Sequence, residues 1–214
     1  TSNWPAMQVN GAWSVNGSEW LLVNSYTATL STSEMRSNRF YAHRIGADNP
    51  SYFMMPSQKP LKATVCASSE SSDVAIVMVT TLDDRSVKLQ RLTPNDQGLQ
   101  WGKSTILEVP KLAADVTGKW YYDVKACADL DGDNLDDFVL EIPNAHATTE
   151  RHHAVALISS RTLKVLAWAD LEVSAGPTTS HVITTQNGVK ELVVTHLQTM
   201  QDDDMMRFYR FRLP

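Results

Sequence analysis

The sequence predicts an all-β fold, and three observations lead to this prediction. Apolar runs of strand length recur along the 214 residues, several runs alternate polar with apolar or aromatic residues, and no segment is a good candidate for a long helix. Residues 31–39 come closest to a helix, but they are few and polar and are more typical of a hairpin tip. The composition, 43% hydrophobic and 20% charged, fits one folded domain over residues 1–214.

The apolar runs form a weak internal repeat of four units. In each unit an acidic residue directly precedes a strand-like run, and successive acidic residues are 54, 64 and 54 positions apart. They are Glu19, Asp73, Asp137 and Glu191. Such a period predicts a fold built from repeated supersecondary units.

Each unit offers its strands in the same order. First strands precede a polar turn, at 12–15, 63–66, 123–127 and 181–184. Second strands follow the acidic residue, at 20–23, 74–79, 138–140 and 192–194. Third strands are predicted at 39–43, 87–92, 154–158 and 206–211, and fourth strands only in the first three units, at 51–55, 104–109 and 163–168.

The missing fourth strand suggests how the units are arranged. The N-terminal segment 4–9 has no place in the first unit, and its pairing with the last unit would close a ring and remove exposed edges. The sequence therefore predicts a small β-propeller of about four antiparallel blades. Its units are roughly 10–57, 58–110, 118–171 and 177–214, and the alternative is an irregular β-sandwich.

A calcium-binding loop precedes the second strand of the third unit. Asp129, Asp131, Asp133 and Asp137 occupy loop positions 1, 3, 5 and 9, and the carbonyl of Leu135 would contribute at position 7. Calcium takes oxygen ligands, which alternate side chains of a curled loop can supply. Gly132 permits the tight curvature. An EF-hand is excluded because position 6 is Asn134, position 12 is Leu140 and both flanks are predicted strands.

The segment from Asp129 to Leu140, a nine-residue aspartate loop with a strand running out of its last Asp, resembles the calcium loops of FG-GAP/VCBS repeats. These repeats occur in integrin-like and many bacterial propellers. The resemblance implies side-chain ligands from the four aspartates, a backbone ligand from Leu135 and a structural role for the ion. Family members usually have Gly at position 6; Asn134 also tolerates left-handed backbone angles.

The two cysteines are a second candidate feature. Cys66 and Cys127 occupy comparable places, just upstream of the turns of the second and third units. In a propeller they would lie on neighbouring innermost strands. The pattern leaves open both a disulfide and two buried free thiols.

Evidence for catalysis is weak. His146, His152 and His153 lie near Glu150, but their spacing matches no zinc motif, and the segment is typical of an exposed hairpin loop. The run 202–204 favours a solvated turn over a second cation site. No nucleophile elbow or phosphate-binding glycine loop is present. We therefore expect a protein that is not an enzyme; a hydrolase using the His146/His152 region is the least favoured alternative.

Charge and composition limit the classes of partner and the cellular compartment that we expect. A net charge of −5 without a basic run argues against nucleic acid, and the apolar runs are too short to insert into a membrane. Calcium and a possible disulfide favour a periplasmic or secreted location. We expect a soluble protein that binds a protein partner, as an adaptor, an inhibitor or an immunity-type protein. A carbohydrate-binding propeller is the alternative.

Overall fold

The computed structural model describes residues 4–28, 35–47, 53–57, 61–68, 71–83, 85–95, 98–109, 123–143, 152–172, 178–184, 188, 190–199 and 204–212. Its described elements are all β-strands, which confirms the predicted all-β class. They form four antiparallel sheets, and none of these sheets is closed into a barrel. Within the described residues there is no helix that could serve as a membrane span.

Every sheet is a simple meander in chain order. The first contains β1 (Trp4–Val15), β2 (Ser18–Ala28), β3 (Met35–Arg44) and β4 (Phe53–Ser57). The second contains β5 (Leu61–Ala67), β6 (Val74–Thr81), β7 (Ser86–Asn95) and β8 (Gly98–Glu108). The third contains β9 (Asp123–Ala126), β10 (Phe138–Pro143), β11 (His152–Ile158) and β12 (Val165–Glu172). The fourth has β13 (Thr178–Thr184), β14 (Lys190–Thr199) and β15 (Asp204–Arg212).

The structure differs from the sequence prediction at the N-terminus. Segment 4–9, expected to pair with the last unit, is the first half of β1 and pairs with residues 23–28 of β2. The physical reason is that β2 continues well beyond its predicted end at Val23, so its second half needs a partner. A bulge between Val9 and Gly11 lets β1 continue alongside it. Pro5 is tolerated because β1 is an edge strand.

The sheets pack face to face in chain order, and among the described residues the second strands contribute more buried hydrophobic side chains than the first, third or fourth strands. In β6, Ile76 and Met78 pack towards the first sheet, whereas Ala75, Val77 and Val79 pack towards the third. In β10, Phe138, Leu140 and Ile142 face the second sheet and Val139 faces the fourth. Because both faces of these strands are covered, β6 is apolar from Val74 to Val79. The described part of β10 is apolar from Phe138 to Ile142 except at Glu141, which is buried and lies 3.5 Å from Nζ of Lys125.

The first strands lie side by side across the sheets, β1 beside β5 and β5 beside β9. Gly11 marks a close approach of β1 to β5. A Cβ atom built at Gly11 would lie 2.7 Å from Cβ of Val65, and closer still to Cγ2. Only a residue without a side chain therefore fits here.

We expect Gly11→Ala to lower the free energy of unfolding by about 1 to 3 kcal/mol, because the new methyl group overpacks the contact with Val65. Urea denaturation measures the change. The matched control is Ser14→Ala on the exposed face of the same strand, expected to shift the free energy by at most about 0.5 kcal/mol. Equal stabilities of the two variants would contradict the close approach.

Candidate metal centre

The aspartate loop connects β9 to β10, and its backbone is curled as the sequence predicts. Gly132 has a φ of 80° and Asn134 a φ of 63°, both in the left-handed region that Gly and Asn adopt most readily. Leu135 is fully buried in the core between the second and third sheets. The side chain of Leu135 therefore anchors the loop to this core.

The carboxylate of Asp129 organises the first half of the loop. Its Oδ1 accepts hydrogen bonds from the backbone N–H groups of Gly132 and Asp133, at 2.7 and 3.2 Å. Its Oδ2 accepts one from Asn134 at 2.9 Å. These bonds hold the loop curved around its first carboxylate.

Asp137 closes the loop from a fully buried position. Its Oδ2 accepts the N–H of Leu130 at 2.9 Å, and its Oδ1 accepts the N–H of Ser160 at 3.0 Å. Burial raises the pKa of Asp137 to about 6, although both hydrogen bonds oppose that rise and the charges of Asp131 and Asp133 add to it. Burial also raises the pKa of Asp136, and the charge of Asp129 adds to it.

Three of the four predicted carboxylates converge. Asp129, Asp131 and Asp137 each place an oxygen within 4.8 Å of the others. With calcium–oxygen distances of about 2.3 to 2.6 Å, ligands on opposite sides of one ion are roughly 5 Å apart, so this group has the right size. The three residues can hold a metal ion, and carboxylate ligands suit a hard cation.

Asp133, the fourth predicted ligand, lies outside this group of three carboxylates. Its Oδ2 lies 3.0 Å from Nε of Arg161, and its Oδ1 accepts the N–H of Leu135 at 3.0 Å. Arg161 also reaches Oδ2 of Asp73, the residue just before β6 of the second sheet, at 3.5 Å. Asp133 thus belongs to an ion-pair network between two sheets.

Ser160 and Arg161 were missed by the sequence prediction. Both lie in the turn between β11 and β12, and Ile158 at the end of β11 pairs with Phe138 at the start of β10. In an antiparallel pair, the residues after the end of one strand lie beside the residues before the start of its partner. The polar run 159–162 directly after β11 was the available signal.

The loop is also tied to the second sheet. The backbone N–H of Asp136 donates to the carbonyl of Ala67 at 3.1 Å, and the Cys66 thiol lies 3.8 Å from the carbonyl oxygen of Asp137. Cys127 donates its N–H to the same carbonyl at 2.9 Å. The loop is therefore a junction between two sheets.

Both predicted cysteines lie beside this junction as free thiols. Burial raises the pKa of Cys66, and it raises the pKa of Cys127 to about 12, with further contributions from the neighbouring acidic groups. Both thiols are protonated at neutral pH. They are consequently poor nucleophiles.

The histidine candidates lie largely outside the described residues. His146 and Glu150 belong to the segment 144–150, and only the backbones of His152 and His153, at the start of β11, are described. Of the acidic run 202–204, Asp204 begins β15 and the other two lie outside the described part.

In metal-depleted buffer we expect the free energy of unfolding to fall as pH rises from about 4 to about 6. The folded protein holds the proton of Asp137 up to pH 6, whereas the unfolded chain releases it near an ordinary pKa of about 3.9, so raising the pH favours unfolding. Urea denaturation across this range measures the slope. The slope should be less steep for Asp137→Asn than for the wild-type protein, and identical slopes would contradict the raised pKa of Asp137.

Comparison of the chain with protein-family models, with curated proteins and with solved structures gives no match. The resemblance to FG-GAP/VCBS loops accordingly stays a prediction carried by Asp129 to Leu140. Functional conclusions depend on the geometry of the loop and of the surface.

Proposed function

We propose that this protein is a non-enzymatic, calcium-stabilised β-propeller that acts outside the cytoplasm and binds a protein partner. The observation that carries the calcium assignment is the convergence of Asp129, Asp131 and Asp137 in a loop that is already curved. A buried aspartate beside two other carboxylates is electrostatically costly, and a divalent cation offsets that cost.

Calcium suits the loop better than a transition metal. The candidate ligands are carboxylates, which favour hard cations, and the curled backbone can add the carbonyl of Leu135 as the sequence predicts. Calcium also accepts irregular coordination more readily than magnesium. Asp133 remains paired with Arg161 in this arrangement, and water completes the shell.

The ion has a structural role in this proposal. The loop connects β9 to β10, receives an N–H group from the β11–β12 turn and donates one to the second sheet. An ion held by its carboxylates therefore stabilises the junction of two sheets. Calcium sites of moderate affinity fill most readily outside the cytoplasm, which supports the periplasmic or secreted location.

The propeller arrangement is supported by how the sheets follow one another. Each sheet packs on the next, and the first strands of the first three sheets are neighbours. Val23 and Val193 lie on the outer faces of the first and fourth sheets, yet they are only 6% and 8% exposed. A ring in which these two faces pack against each other accounts for their burial.

Binding of a protein partner is supported by apolar side chains on the last strand of three sheets. The exposed large hydrophobic residues include Trp101 and Ile106 of β8, Val165 and Trp168 of β12, and Met206 and Phe208 of β15. We infer that these residues contribute to the interaction surface, because contiguous exposed apolar surface marks interaction sites. The protonated thiols of Cys66 and Cys127 give no support to cysteine catalysis.

We expect calcium to raise the melting temperature of the chelator-treated protein, because it binds the folded loop. At about 100 times its Kd, calcium adds about 2.7 kcal/mol to the free energy of unfolding. Asp131→Asn removes one exposed carboxylate and should weaken calcium binding measured by isothermal titration calorimetry.

The matched control for calcium is Glu108→Gln, which removes one negative charge from an exposed position on β8. It should leave the calcium affinity unchanged. Equal losses in the two variants would mean that calcium responds only to net charge. Absence of binding to the wild-type protein would refute the calcium assignment.

We expect Val23→Ala and Val193→Ala to be coupled in stability if the ring is closed. Residues in contact show coupling energies of about 0.5 kcal/mol or more in a double-mutant cycle, whereas distant pairs are additive within about 0.3 to 0.5 kcal/mol. Val23 with Val87, which faces the third sheet, is the control pair. Additivity of Val23 with Val193 would favour an open arrangement.

A further inference from the structure

Arg161 lies beside the candidate metal centre in a turn whose backbone is held by several contacts. The turn connects β11 to β12, and the N–H of Leu163 donates to the carbonyl of Ser159 at 2.8 Å. Leu163 is buried in the core between the second and third sheets. The N–H of Ser160 donates to Oδ1 of Asp137 at 3.0 Å. These contacts place Arg161 next to the loop independently of the contacts of its own side chain.

The guanidinium group of Arg161 holds Asp133 through two hydrogen bonds. Its Nε donates to Oδ2 of Asp133 at 3.0 Å, and its Nη2 donates to the backbone carbonyl of Asp133 at 3.3 Å. Oδ1 of Asp133 accepts the N–H of Leu135 at 3.0 Å. The side chains of Arg161 and Asp133 are 39% and 23% exposed, so water and salt screen this pair less than a fully exposed pair. Both carboxylate oxygens of Asp133 are therefore engaged.

Asp133 nevertheless lies next to the three converging carboxylates. Its backbone N–H donates to Oδ1 of Asp129 at 3.2 Å, and Asp129 belongs to the group that can hold a metal ion. Asp129, Asp131 and Asp133 occupy alternate positions of a curled loop, a pattern that can direct oxygens to one cation. Asp133 is thus a near neighbour of the site, but its carboxylate contacts a guanidinium group.

The curvature of the loop is held by contacts that do not involve Arg161. Asp129 accepts three backbone N–H groups, Asp137 accepts two more, and the buried side chain of Leu135 anchors the loop to the core. Arg161 adds a positive charge beside this curved loop and engages one of its carboxylates. Both effects oppose the binding of a calcium ion.

We propose that Arg161 lowers the calcium affinity of the loop by keeping Asp133 out of the coordination shell. This inference rests on the proposed function, because it concerns the same calcium site. Calcium affinity depends on the number of charged ligands, so four available carboxylates would bind calcium more tightly than three. Arg161 thereby suits the site to the higher calcium concentrations found outside the cytoplasm.

A purely structural role of Arg161 predicts the opposite change in affinity. Its Nη2 also lies 3.5 Å from Oδ2 of Asp73, the residue just before β6, so Arg161 connects the loop to the second sheet. If this connection supported the ion site, loss of Arg161 would loosen the loop and weaken calcium binding. The side chain of Asp73 is 62% exposed, so its ion pair with Arg161 contributes little. The sign of the change in calcium affinity separates the two roles.

The test measures calcium binding to the chelator-treated full chain by isothermal titration calorimetry, in about 0.15 M salt. We expect Arg161→Gln to bind calcium about tenfold more tightly than the wild-type protein, because Asp133 becomes available as a fourth carboxylate ligand. Lys164→Gln is the matched control, since it removes a positive charge from an exposed position at the end of the same turn. Its effect should stay within about twofold, because salt screens an exposed charge.

A double-mutant cycle with Asp133→Asn tests whether the gain in affinity comes from Asp133. In the wild-type protein this substitution should weaken calcium binding less than Asp131→Asn does, because Asp133 lies outside the shell there. In the Arg161→Gln background it should abolish the gain. If Arg161 acted through its charge alone, the gain would remain.

Arg161→Lys keeps the proposal testable if Arg161→Gln fails to fold. Lysine retains the positive charge but cannot bond the carboxylate and the carbonyl of Asp133 in the same fixed geometry. We expect a smaller gain in calcium affinity than for Arg161→Gln, and this gain should also disappear with Asp133→Asn. Melting temperatures in the presence of chelator check that each variant is folded.

Three outcomes would overturn the proposal and leave the calcium assignment intact. They are an unchanged or weaker affinity in a folded Arg161 variant, a gain that survives Asp133→Asn, and a wild-type loss with Asp133→Asn as large as that with Asp131→Asn. Absence of calcium binding by the wild-type protein and by every variant would instead refute the calcium assignment, and the role of Arg161 with it.

Discussion

The buried carboxylate of Asp137 is the constraint on which the centre of this structure depends. An ionised carboxylate removed from water must be matched by donors or by a cation, because its desolvation is costly. Here the donors are the backbone N–H groups of Leu130 and Ser160, one from the loop and one from the turn after β11. The backbone carbonyl of the same residue receives the N–H of Cys127. One residue thus joins the loop, the neighbouring turn and the end of β9.

The loop also links two sheets through contacts of different kinds. Asp136 reaches Ala67 through a backbone hydrogen bond, Leu135 packs into the core that the second and third sheets share, and Arg161 joins Asp133 to Asp73. The exposed ion pairs contribute little stability on their own, about 0 to 1 kcal/mol each. The fully buried side chain of Leu135 adds apolar burial at this junction, and the polar contacts fix the geometry of the loop.

The fold class and the loop could be predicted from the sequence because both depend on local residue patterns. The runs that begin at Phe138 and Val74 are strand signals, and Gly132 and Asn134 adopt the left-handed angles that their positions in the loop require. Contacts between segments that are distant in the sequence were harder to predict. The N-terminal segment joined β2 instead of the last unit, and Asp133 took Arg161 as its partner, because both outcomes depend on contacts between distant parts of the chain.

Strands β6 and β10 each contribute to two packing interfaces at once. A residue that replaces Val77 must pack against the third sheet without displacing Ile76 and Met78 from the first. A residue that replaces Val139 must likewise pack against the fourth sheet without displacing Phe138 and Leu140 from the second. A strand with one solvent-exposed face tolerates substitutions at every second residue, whereas β6 and β10 do not. Mutational tolerance should therefore be lowest in β6 and β10 and higher in β8, where most side chains are exposed and can diversify without disturbing the core.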